Sequence, residues 1–431
     1  MKYFGTDGIR GKWQTIYNIA FPLGIVLSDR NKVVAVARDT RPSSFDIEKE
    51  LVRGLLSGGA DVLLCGVMPT PALAYTIKAK GIERAVMITA SHNPPEYNGL
   101  KVMGVSGKLS QEEEVMLDGA LDVWTDCNKA ESGRVDILSS AVRDYKRHIL
   151  SIFGHLNLTD LDRPVYLDTA HGCFSYVAKD VFETLGANVV AINNEYSGEK
   201  INVECGATCL DCILSQMPER SLGFAFDGDG DRVIAVLDGK IYDGDQILYN
   251  LATYYKSKCQ GPKGVVGTIM TGGGVEKALE KQKIKLHRAD VGDKYVAEMM
   301  REKSAVLGGE KSGHIIVGDK TATGDGLVTA LAFVESYMGG FVKKVREYRT
   351  ENFNLDAENP KEIFESTCFQ EKLGKFVSKI GKKGRVIARP SGTESVVRLT
   401  VELYDSRIDC EKLIKEIFLA KTNKNRNNSQ Q

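Results

Sequence analysis

An acidic loop at residues 225–232, AFDGDGDR, has the strongest chemical signal in this sequence. Asp227, Asp229 and Asp231 alternate with glycines, whose conformational freedom lets the backbone turn tightly. Three carboxylates can therefore converge on one hard cation. Because all of these ligands are oxygens, the loop favours Mg²⁺, Mn²⁺ or Ca²⁺ over zinc.

Two other interpretations of this loop exist. An EF-hand calcium loop requires glycine at the position of Arg232 and a helix on each side, whereas the flanking segments SLGFAF and VIAVL are typical of strands. The EF-hand is therefore excluded. A plain acidic turn remains an alternative, but three unpaired carboxylates so close together repel one another strongly unless a cation is present. The spacing thus favours a metal site.

Two glycine-containing stretches suit an anion. RPSGTE combines a guanidinium group with two hydroxyls and a glycine in a tight turn, and such donors suit a phosphate. An ordinary hairpin turn remains the alternative for this stretch. FGTDGIRG, near the N-terminus, has a similar composition and includes Arg10. The candidate phosphate ligands in RPSGTE are Arg389, Ser391, Gly392 and Thr393.

A third glycine-flanked loop, GGEKSGH, suits a sugar. Its polar residues are Glu310, Ser312 and His314, whose side chains can form hydrogen bonds with sugar hydroxyls. Coincidence explains one such loop more easily than four.

Ser91 lies in the stretch ITASHNPPEYNGLK, between an apolar run and two prolines. Its hydroxyl is expected on a loop at the carboxyl end of a strand, where α/β sheets bind ligands. The chain has no G-x-S-x-G motif, so a serine hydrolase is disfavoured. Lys101 follows ten residues later and supplies a cation or a base of adjustable pKa.

The segments around these motifs show one pattern three times. A β-branched run is followed by a turn, an amphipathic segment of helical period and a second extended segment. This order is typical of a βαβ unit with parallel strands. Because the units begin roughly a hundred residues apart, they resemble copies of one domain type rather than a short-period solenoid. The initial runs are VVAVA, VYL and VVGTI, and the returning segments are ADVLLCG, ANVVAI and IKLHRAD.

The last part of the chain has a different pattern. A polar helical segment is followed by GRVIARPSGTESVVRLTVEL, which alternates as two strands around a turn. We therefore predict an α/β protein with three similar βαβ domains of mixed sheet and a smaller C-terminal α+β domain. The predicted domains are residues 1–148, 149–248, 249–355 and 356–431.

Composition excludes several classes of partner. Lys plus Arg and Asp plus Glu both total 57, so no global field attracts nucleic acid or an acidic membrane. The apolar stretches at 18–27 and 326–342 are too short to span a bilayer and are expected to be buried. Nine scattered cysteines and an N-terminus unlike a secretory signal predict a cytoplasmic protein. Cys205, Cys209 and Cys212 lack a fourth zinc ligand at a suitable spacing, which favours buried thiols.

With these residues assembled, the chain resembles the α-D-phosphohexomutase family along nearly its whole length. Four family signatures occur in order: TASHNP with NGLK, DGDGDR, GGEKSGH and RPSGTE. The resemblance implies four domains around a central cleft, with one signature loop from each. It also implies that Ser91 is phosphorylated, and that a phosphate oxygen joins Asp227, Asp229 and Asp231 around Mg²⁺.

The resemblance further implies a reaction. Phosphorylated Ser91 gives its phosphoryl group to a free hydroxyl of a sugar phosphate, and the resulting bisphosphate turns around and returns its other phosphate. The cation, Arg10 and Arg232 would stabilise the transferred charge. Lys101 and His92 would handle the hydroxyl proton. Glu310, Ser312 and His314 would bind the ring, while Arg389, Ser391, Gly392 and Thr393 would bind the phosphate that is not reacting.

Within this family, KINVECGAT, IYDGDQIL and ADVGDKYV resemble the branch that interconverts glucosamine 6-phosphate and glucosamine 1-phosphate for cell-wall precursors. This hexosamine phosphate is the expected substrate, and the expected assembly is a monomer or homodimer. A mannose or glucose phosphate is the alternative substrate. Asp290 replaces the usual lysine, MTGGG replaces a serine-asparagine pair, and the segment between GTDGIRG and VVAVA is short. These departures concern the sugar contacts and the helix of the first domain.

Two rival functions come from other classes. A haloacid-dehalogenase-type phosphatase would use Asp227 as its nucleophile, but that class expects threonine or valine at the position of Asp231. A sugar-phosphate sensor without catalysis is motivated by Asp290 and the short first domain. Loss of turnover in Ser91→Ala would favour the mutase over the phosphatase.

Overall fold

The computed structural model describes residues 1–5, 7–28, 33–105, 107–125, 132–260, 264–391, 395–404 and 407–419. The chain divides into two compact units. The first comprises Met1–Thr271 and Leu279–Lys344, and the second comprises Gly272–Ala278 and Val345–Gln431. Gly392 and Thr393, two of the predicted phosphate ligands, lie outside the described residues.

The first sheet contains the VVAVA repeat. Its strands are β1 (Ile9–Lys12), β2 (Val33–Arg38), β3 (Asp61–Val67), β4 (Arg84–Ile88), β5 (Tyr97–Gly104), β6 (Gly107–Lys108) and β7 (Val135–Ile137). The strand order is β1-β5-β4-β2-β3-β7, with β6 paired to β5. The central strands β2, β3 and β4 are parallel, whereas β5 is antiparallel to β4 and β1.

Five helices accompany this sheet. They are α1 (Trp13–Ser28), α2 (Ser44–Ser57), α3 (Thr70–Lys80), α4 (Gln111–Asp122) and α5 (Ala141–Phe153). A capping box formed by Ser110 and Glu113 begins α4. Helices α1 and α2 pack closely, because Gly24 and Gly54 let their backbones approach.

The second sheet contains the VYL repeat and the acidic loop. Its strands are β8 (Val165–Asp168), β9 (Val189–Ile192), β10 (Leu222–Phe226), β11 (Val233–Leu237) and β12 (Lys240–Tyr242), with helices α6 (Val177–Thr184), α7 (Asp211–Gln216) and α8 (Gly244–Tyr255). The order is β12-β11-β10-β8-β9. Every residue of β10 and β11 is buried, so the apolar hairpin fixes the loop between them.

The third sheet contains the VVGTI repeat and the GGEKSGH loop. Its strands are β13 (Gly264–Thr268), β14 (Lys285–Ala289), β15 (Leu307–Gly309) and β16 (Ile315–Val317), with helices α10 (Asp293–Lys303) and α11 (Gly326–Met338). Helix α9 (Gly273–Lys281) follows β13 in the chain, and its residues up to Ala278 belong to the second compact unit. The order is β14-β13-β15-β16. Strand β13 is parallel to β14 and β15, whereas β16 is antiparallel to β15.

The second compact unit contains an antiparallel sheet in the order β17-β19-β18, built from β17 (Arg349–Asp356), β18 (Gly384–Pro390) and β19 (Val396–Leu403). Its helices are α12 (Pro360–Glu365), α13 (Thr367–Ile380) and α14 (Cys410–Ile414).

Short helical turns occur in both compact units. The 3₁₀ turns lie at Leu158–Asp160, Gly198–Lys200, Gly206–Thr208 and Gly381–Lys383, and the π-helical turns lie at Lys256–Gln260 and Lys415–Leu419.

These elements confirm the predicted fold class. Each of the three repeats forms a strand, a helix and a parallel return strand, and GRVIARPSGTESVVRLTVEL forms the pair β18 and β19. The four domain boundaries and the central cleft stay predictions. Among the residues that the structure describes, no helix has the length and apolar character needed to cross a bilayer.

Candidate active site

Ser91 lies just after β4, on a loop that buries its side chain completely. Its φ is 52°, in the left-handed region that residues other than glycine rarely adopt. The hydroxyl donates a hydrogen bond of 2.7 Å to Oδ2 of Asp227, and it lies 3.3 Å from Nδ1 of His92. The Ser91 carbonyl accepts hydrogen bonds from Arg41 and Asn202. The surrounding contacts therefore hold a strained backbone that points the hydroxyl at the acidic loop.

The acidic loop joins β10 to β11 and brings its three carboxylates together. Asp227, Asp229 and Asp231 are buried, and one oxygen atom from each lies within 4.8 Å of the others. Gly230, between the last two, has φ of 77°, and a Cβ atom there would lie 2.5 Å from the Phe174 ring. Glycine is thus required at this turn by conformation and by space.

Lys101 bridges two of the three carboxylates from β5. Its Nζ donates to Oδ2 of Asp229 at 2.8 Å and to Oδ2 of Asp231 at 2.9 Å. Burial opposes its charge, but the neighbouring carboxylates dominate and raise the pKa of Lys101 above its ordinary value. Lys101 therefore remains an ammonium ion at neutral pH.

The three aspartates differ in their electrostatics. Burial, reinforced by Asp231 and Asp229, raises the pKa of Asp227 well above its ordinary value. Burial also acts against ionisation of Asp231, but Lys101 outweighs it and holds the pKa of Asp231 well below its usual range. Without a further cation, the loop therefore carries less than its full negative charge.

The donor set of this loop fits a divalent cation. Oδ1 of Asp229 and Oδ1 of Asp231 are buried and accept no hydrogen bond from the residues that the structure describes. Buried carboxylate oxygens without partners are costly, and a hard cation satisfies them. Lys101 contributes a single positive charge, which does not balance three carboxylates.

Arg10 belongs to a second group of charges, which surrounds Asp7 beside Lys101. Its Nη1 donates to the carbonyl of Ala90 at 3.1 Å, and its guanidinium forms an ion pair with Asp7. Asp7 also pairs with Lys101 at 3.1 Å and with Lys108. Burial disfavours the charge on Asp7, but Lys101, Lys108 and Arg10 hold its pKa well below the usual range. The hydrogen bond to the Ala90 carbonyl thus places the Arg10 guanidinium beside the residue that precedes Ser91.

His92 follows Ser91, and Arg232 is the last residue of the acidic loop. Burial, followed by the charges of Arg232 and Arg10, lowers the pKa of His92 to about 4. Its imidazole is therefore neutral at pH 7. The backbone N–H of Arg232 donates to Oδ1 of Asp227 at 3.1 Å, and its Nε lies 3.9 Å from Oδ1 of Asp231.

The GGEKSGH loop joins β15 to β16, and its three candidate residues differ in exposure. Ser312 is exposed, Glu310 is half-buried, and Oε1 of Glu310 accepts a hydrogen bond of 3.0 Å from the Gly292 N–H. His314 is buried, with Nδ1 at 3.7 Å from Asp231 and Nε2 at 3.5 Å from Asp293. The sugar-binding roles of all three stay predictions.

The RPSGTE residues belong to the second compact unit. Arg389 lies in β18, and burial lowers its pKa from the ordinary value, with a smaller contribution from Arg398. Ser391 follows the end of β18 and is half-buried. Their role as phosphate ligands stays a prediction.

Four residues that contact this site were not recognised from the sequence. Thr70, the first residue of α3, donates from its hydroxyl to Oδ2 of Asp229 at 2.6 Å. Asp7, Lys108 and Asp293 form the chain of ion pairs beside Lys101. Asp7 had a local signal, because it lies in the FGTDGIRG stretch that drew attention to Arg10. Asp293 likewise lies in the ADVGDKYV stretch, whereas Thr70 and Lys108 have no local signal, since their contacts come from distant parts of the chain.

Sequence comparison identifies the family of this chain. Residues 1–118 match phosphoglucomutase/phosphomannomutase alpha/beta/alpha domain I, residues 243–353 match domain III, and residues 354–419 match the C-terminal domain. The phosphoglucosamine mutase of Thermotoga petrophila is 41% identical, over 97% of this chain and 98% of its own. The chain belongs to the phosphoglucomutase/phosphomannomutase family, the α-D-phosphohexomutases. Because the enzymes of this family are mutases, the chain is an isomerase.

Other phosphohexomutases agree with this assignment. The phosphoglucosamine mutase of Pasteurella multocida is 35% identical, over 97% of this chain and 99% of its own. A phosphoglucomutase/phosphomannomutase family protein from Burkholderia thailandensis has a similar structure, with a TM-score of 0.76 and 23% identity, covering 96% of this chain and 97% of that one. An N-acetylphosphoglucosamine mutase from Aspergillus fumigatus, solved with GlcNAc-6P and magnesium, has a TM-score of 0.70 and 16% identity, covering 96% and 94%. These structures support the fold.

Proposed function

We propose that this chain interconverts glucosamine 6-phosphate and glucosamine 1-phosphate through a phosphorylated Ser91 and a bisphosphorylated sugar. One observation carries the proposal. The Ser91 hydroxyl lies 2.7 Å from Asp227, inside the buried group that also contains Asp229 and Asp231. Relatives at 35% to 41% identity named phosphoglucosamine mutase support glucosamine phosphate as the substrate.

Asp227, Asp229 and Asp231 would hold Mg²⁺. When bound, this ion supplies a compact positive charge that stabilises the negative charge of the transferred phosphoryl group. The unsatisfied buried oxygens of Asp229 and Asp231 support such a site. Oxygen ligands alone favour a hard cation.

Ser91 would carry the phosphoryl group, and the charged residues around it would stabilise the transfer. Lys101 remains protonated beside Asp229 and Asp231, so it acts first as a cation and hydrogen-bond donor. His92 is neutral, and its Nδ1 lies 3.3 Å from the serine oxygen, where it can accept a proton from an attacking hydroxyl. Arg10 and Arg232 would add positive charge on two further sides.

The remaining predicted residues would orient the sugar. Glu310, Ser312 and His314 would hold ring hydroxyls that both orientations of the bisphosphate present in a similar way. The phosphate that is not reacting would bind to Arg389, Ser391, Gly392 and Thr393. Because these residues would hold one phosphate while the other reacts, either end of the bisphosphate could face the serine, as an exchange between C6 and C1 requires.

Parallel coupled assays with glucosamine, glucose and mannose 6-phosphates test the substrate, each with Mg²⁺ and each repeated after chelation. We expect the highest kcat/KM with glucosamine 6-phosphate and loss of turnover after chelation. A preference for glucose or mannose would reject the proposed substrate. Release of inorganic phosphate without the 1-phosphate would indicate a phosphatase, and tight binding without exchange would indicate a sensor.

The proposed setting is the cytoplasm, with the enzyme as a monomer or homodimer and no nucleic-acid or membrane partner. Equal numbers of acidic and basic residues, 57 each, support the lack of a nucleic-acid or membrane partner, because they give no net field that attracts a polyanion. Light scattering on the purified chain measures the assembly, and a larger oligomer would contradict it.

A further inference from the structure

Three cysteines lie close together in the sequence CGATCLDC, and the proposed reaction uses none of them. Cys205 is buried, whereas Cys209 and Cys212 are partly exposed. Burial raises the pKa of the Cys205 thiol to about 12, so this thiol is a poor nucleophile at neutral pH. Cys209 and Cys212 therefore form the accessible pair, in a C-x-x-C arrangement.

The backbone between these two cysteines forms a tight turn. Leu210 has φ of −88° and ψ of −5°, and the next residue, Asp211, begins α7. When both intervening residues have right-handed helical geometry, the outer Cα atoms lie less than about 7 Å apart. Disulfides join cysteines whose Cα atoms are about 4.4 to 6.8 Å apart. The Cα separation of this turn is thus compatible with a disulfide.

The sulfur of Cys212 has an unusually polar environment for a half-buried thiol. Nδ2 of Asn193 donates to it at 3.2 Å, and Nε2 of Gln216 donates to it at 3.3 Å. These two amide groups hold the Cys212 sulfur in a defined position. Packing against the apolar cluster around Ile213 explains why Cys212 is half-buried, but it does not require these two donors.

We propose that Cys209 and Cys212 form a reversible disulfide by exchange with a low-molecular-weight disulfide such as glutathione disulfide. The Cys212 thiolate attacks one sulfur of the glutathione disulfide, forms a mixed disulfide and expels one glutathione thiolate. The Cys209 thiolate then attacks the Cys212 sulfur and expels the second. The two cysteines are oxidised, the glutathione disulfide is reduced to two thiols, and the two cysteine protons pass to the departing thiolates.

The chain segment that precedes this pair contacts the serine loop. The N–H of Cys209 donates to the carbonyl of Gly206, and the N–H of Gly206 donates to Asp168 at 2.9 Å. Upstream in the same segment, Asn202 donates to the Ser91 carbonyl at 2.8 Å. The proposed disulfide therefore forms in a segment that contacts the serine loop.

The test uses the reduced full-length chain, incubated with glutathione disulfide and then alkylated under denaturing conditions. The tryptic peptide that follows Lys200 and ends at Arg220 contains all three cysteines. We expect this peptide to lose two hydrogens, with fragment ions that place the alkyl group on Cys205, and we expect dithiothreitol to reverse the change. Three alkylated cysteines, or a bond that includes Cys205, would overturn the proposal.

Single variants distinguish the role of Cys212 from that of Cys209, and a matched control shows whether a change comes from misfolding. Cys205→Ser is the matched control and should keep the disulfide. Cys209→Ser should stop at a glutathione adduct on Cys212, whereas Cys212→Ser should give neither disulfide nor adduct. An adduct on Cys209 in Cys212→Ser, or zinc bound by the reduced wild type through these thiols, would contradict the assignment. Circular dichroism of each variant verifies that it is folded.

Discussion

At the scale of single residues, the capacity of the site for a cation depends on which buried carboxylate oxygens accept no hydrogen bond. Lys101 occupies Oδ2 of both Asp229 and Asp231, and Thr70 donates to the same Oδ2 of Asp229. The opposite oxygens of these two aspartates remain for a cation, since they accept no hydrogen bond from the described part of the chain. Thr70 would therefore orient the proposed metal ligand Asp229 without being a ligand itself.

Thr70→Val should weaken Mg²⁺ binding by about 10-fold or more, because residues that orient metal ligands typically contribute 10 to 100-fold in affinity. Valine keeps the shape of threonine but removes the hydroxyl that donates to Asp229. Isothermal titration with Mg²⁺ measures the change. Thr76→Val is the matched control on the same helix, since that hydroxyl bonds only to the carbonyl of Ala72 among the contacts described. Equal affinities in the two variants would contradict this role.

The residues predicted from the sequence are those whose neighbours along the chain identify them. Asp227, Asp229 and Asp231 come together through one short loop, and Ser91 could be placed because an apolar run precedes it. The contact between Ser91 and Asp227, 136 residues apart, had to come from the family resemblance. Thr70 and Lys108 were missed because a lone hydroxyl or ammonium has no local pattern, and their partners are distant in sequence.

At the scale of elements, the serine loop and the acidic loop each begin where a buried strand ends. Ser91 follows β4, and the acidic loop joins β10 to β11. The three βαβ repeats were predictable because the alternation of β-branched runs and amphipathic segments is local. The short strand β1 and its pairing with β5 were not predicted, since IRGK has no apolar run.

The crossing of α1 and α2 depends on glycine. A Cβ atom at Gly54 would lie 2.2 Å from the carbonyl oxygen of Phe21, so Gly54→Ala must push the helices apart. We expect a loss of about 1 to 3 kcal/mol in the free energy of unfolding, measured with urea. Gly119→Ala in α4 is the control, because nothing lies within 4 Å of a Cβ atom there. This control should be neutral or more stable, and a similar loss in both variants would contradict the packing argument.

Asp325 begins α11 and gives the stability of the fold a pH dependence. It accepts hydrogen bonds from the N–H groups of Leu327 and Val328 and from the Tyr145 hydroxyl, and burial raises its pKa to about 6. Because the folded state binds this proton more tightly than the unfolded state, its stabilising contribution is lost as pH rises from about 4 to about 6.

Asp325→Asn removes this titration. Relative to wild type, the free energy of unfolding of the variant should therefore rise across that interval, by up to about 3 kcal/mol. Urea unfolding at several pH values measures the difference. Asp409→Asn, at the exposed start of α14, is the control and should follow wild type throughout. Parallel curves for Asp325→Asn and wild type would refute the assignment.

At the scale of the whole molecule, charge is balanced overall but concentrated at the site. The chain has 57 acidic and 57 basic residues, yet buries three aspartates within five positions of one loop. Such local repulsion lowers the stability of the metal-free protein. A cation that binds only the folded state should therefore stabilise the chain as a whole.

Mg²⁺ should raise the melting temperature of the wild type. At a free concentration ten times Kd, the expected gain is about 1.4 kcal/mol in the free energy of unfolding. Differential scanning calorimetry with Mg²⁺, with chelator and with NaCl at equal ionic strength measures it. Asp229→Asn should lose the response. The same shift with NaCl, or an undiminished shift in the variant, would show that the ion does not act at this loop.

The central claim is that Ser91 carries the phosphoryl group beside the three aspartates. The most direct measurement treats the purified chain with labelled glucosamine 1,6-bisphosphate and locates the phosphate by peptide mass spectrometry. We expect one phosphate on Ser91 that passes to added glucosamine 6-phosphate, and neither labelling nor turnover in Ser91→Ala that is folded and still stabilised by Mg²⁺. Phosphate on Asp227, or full turnover in Ser91→Ala, would contradict the claim.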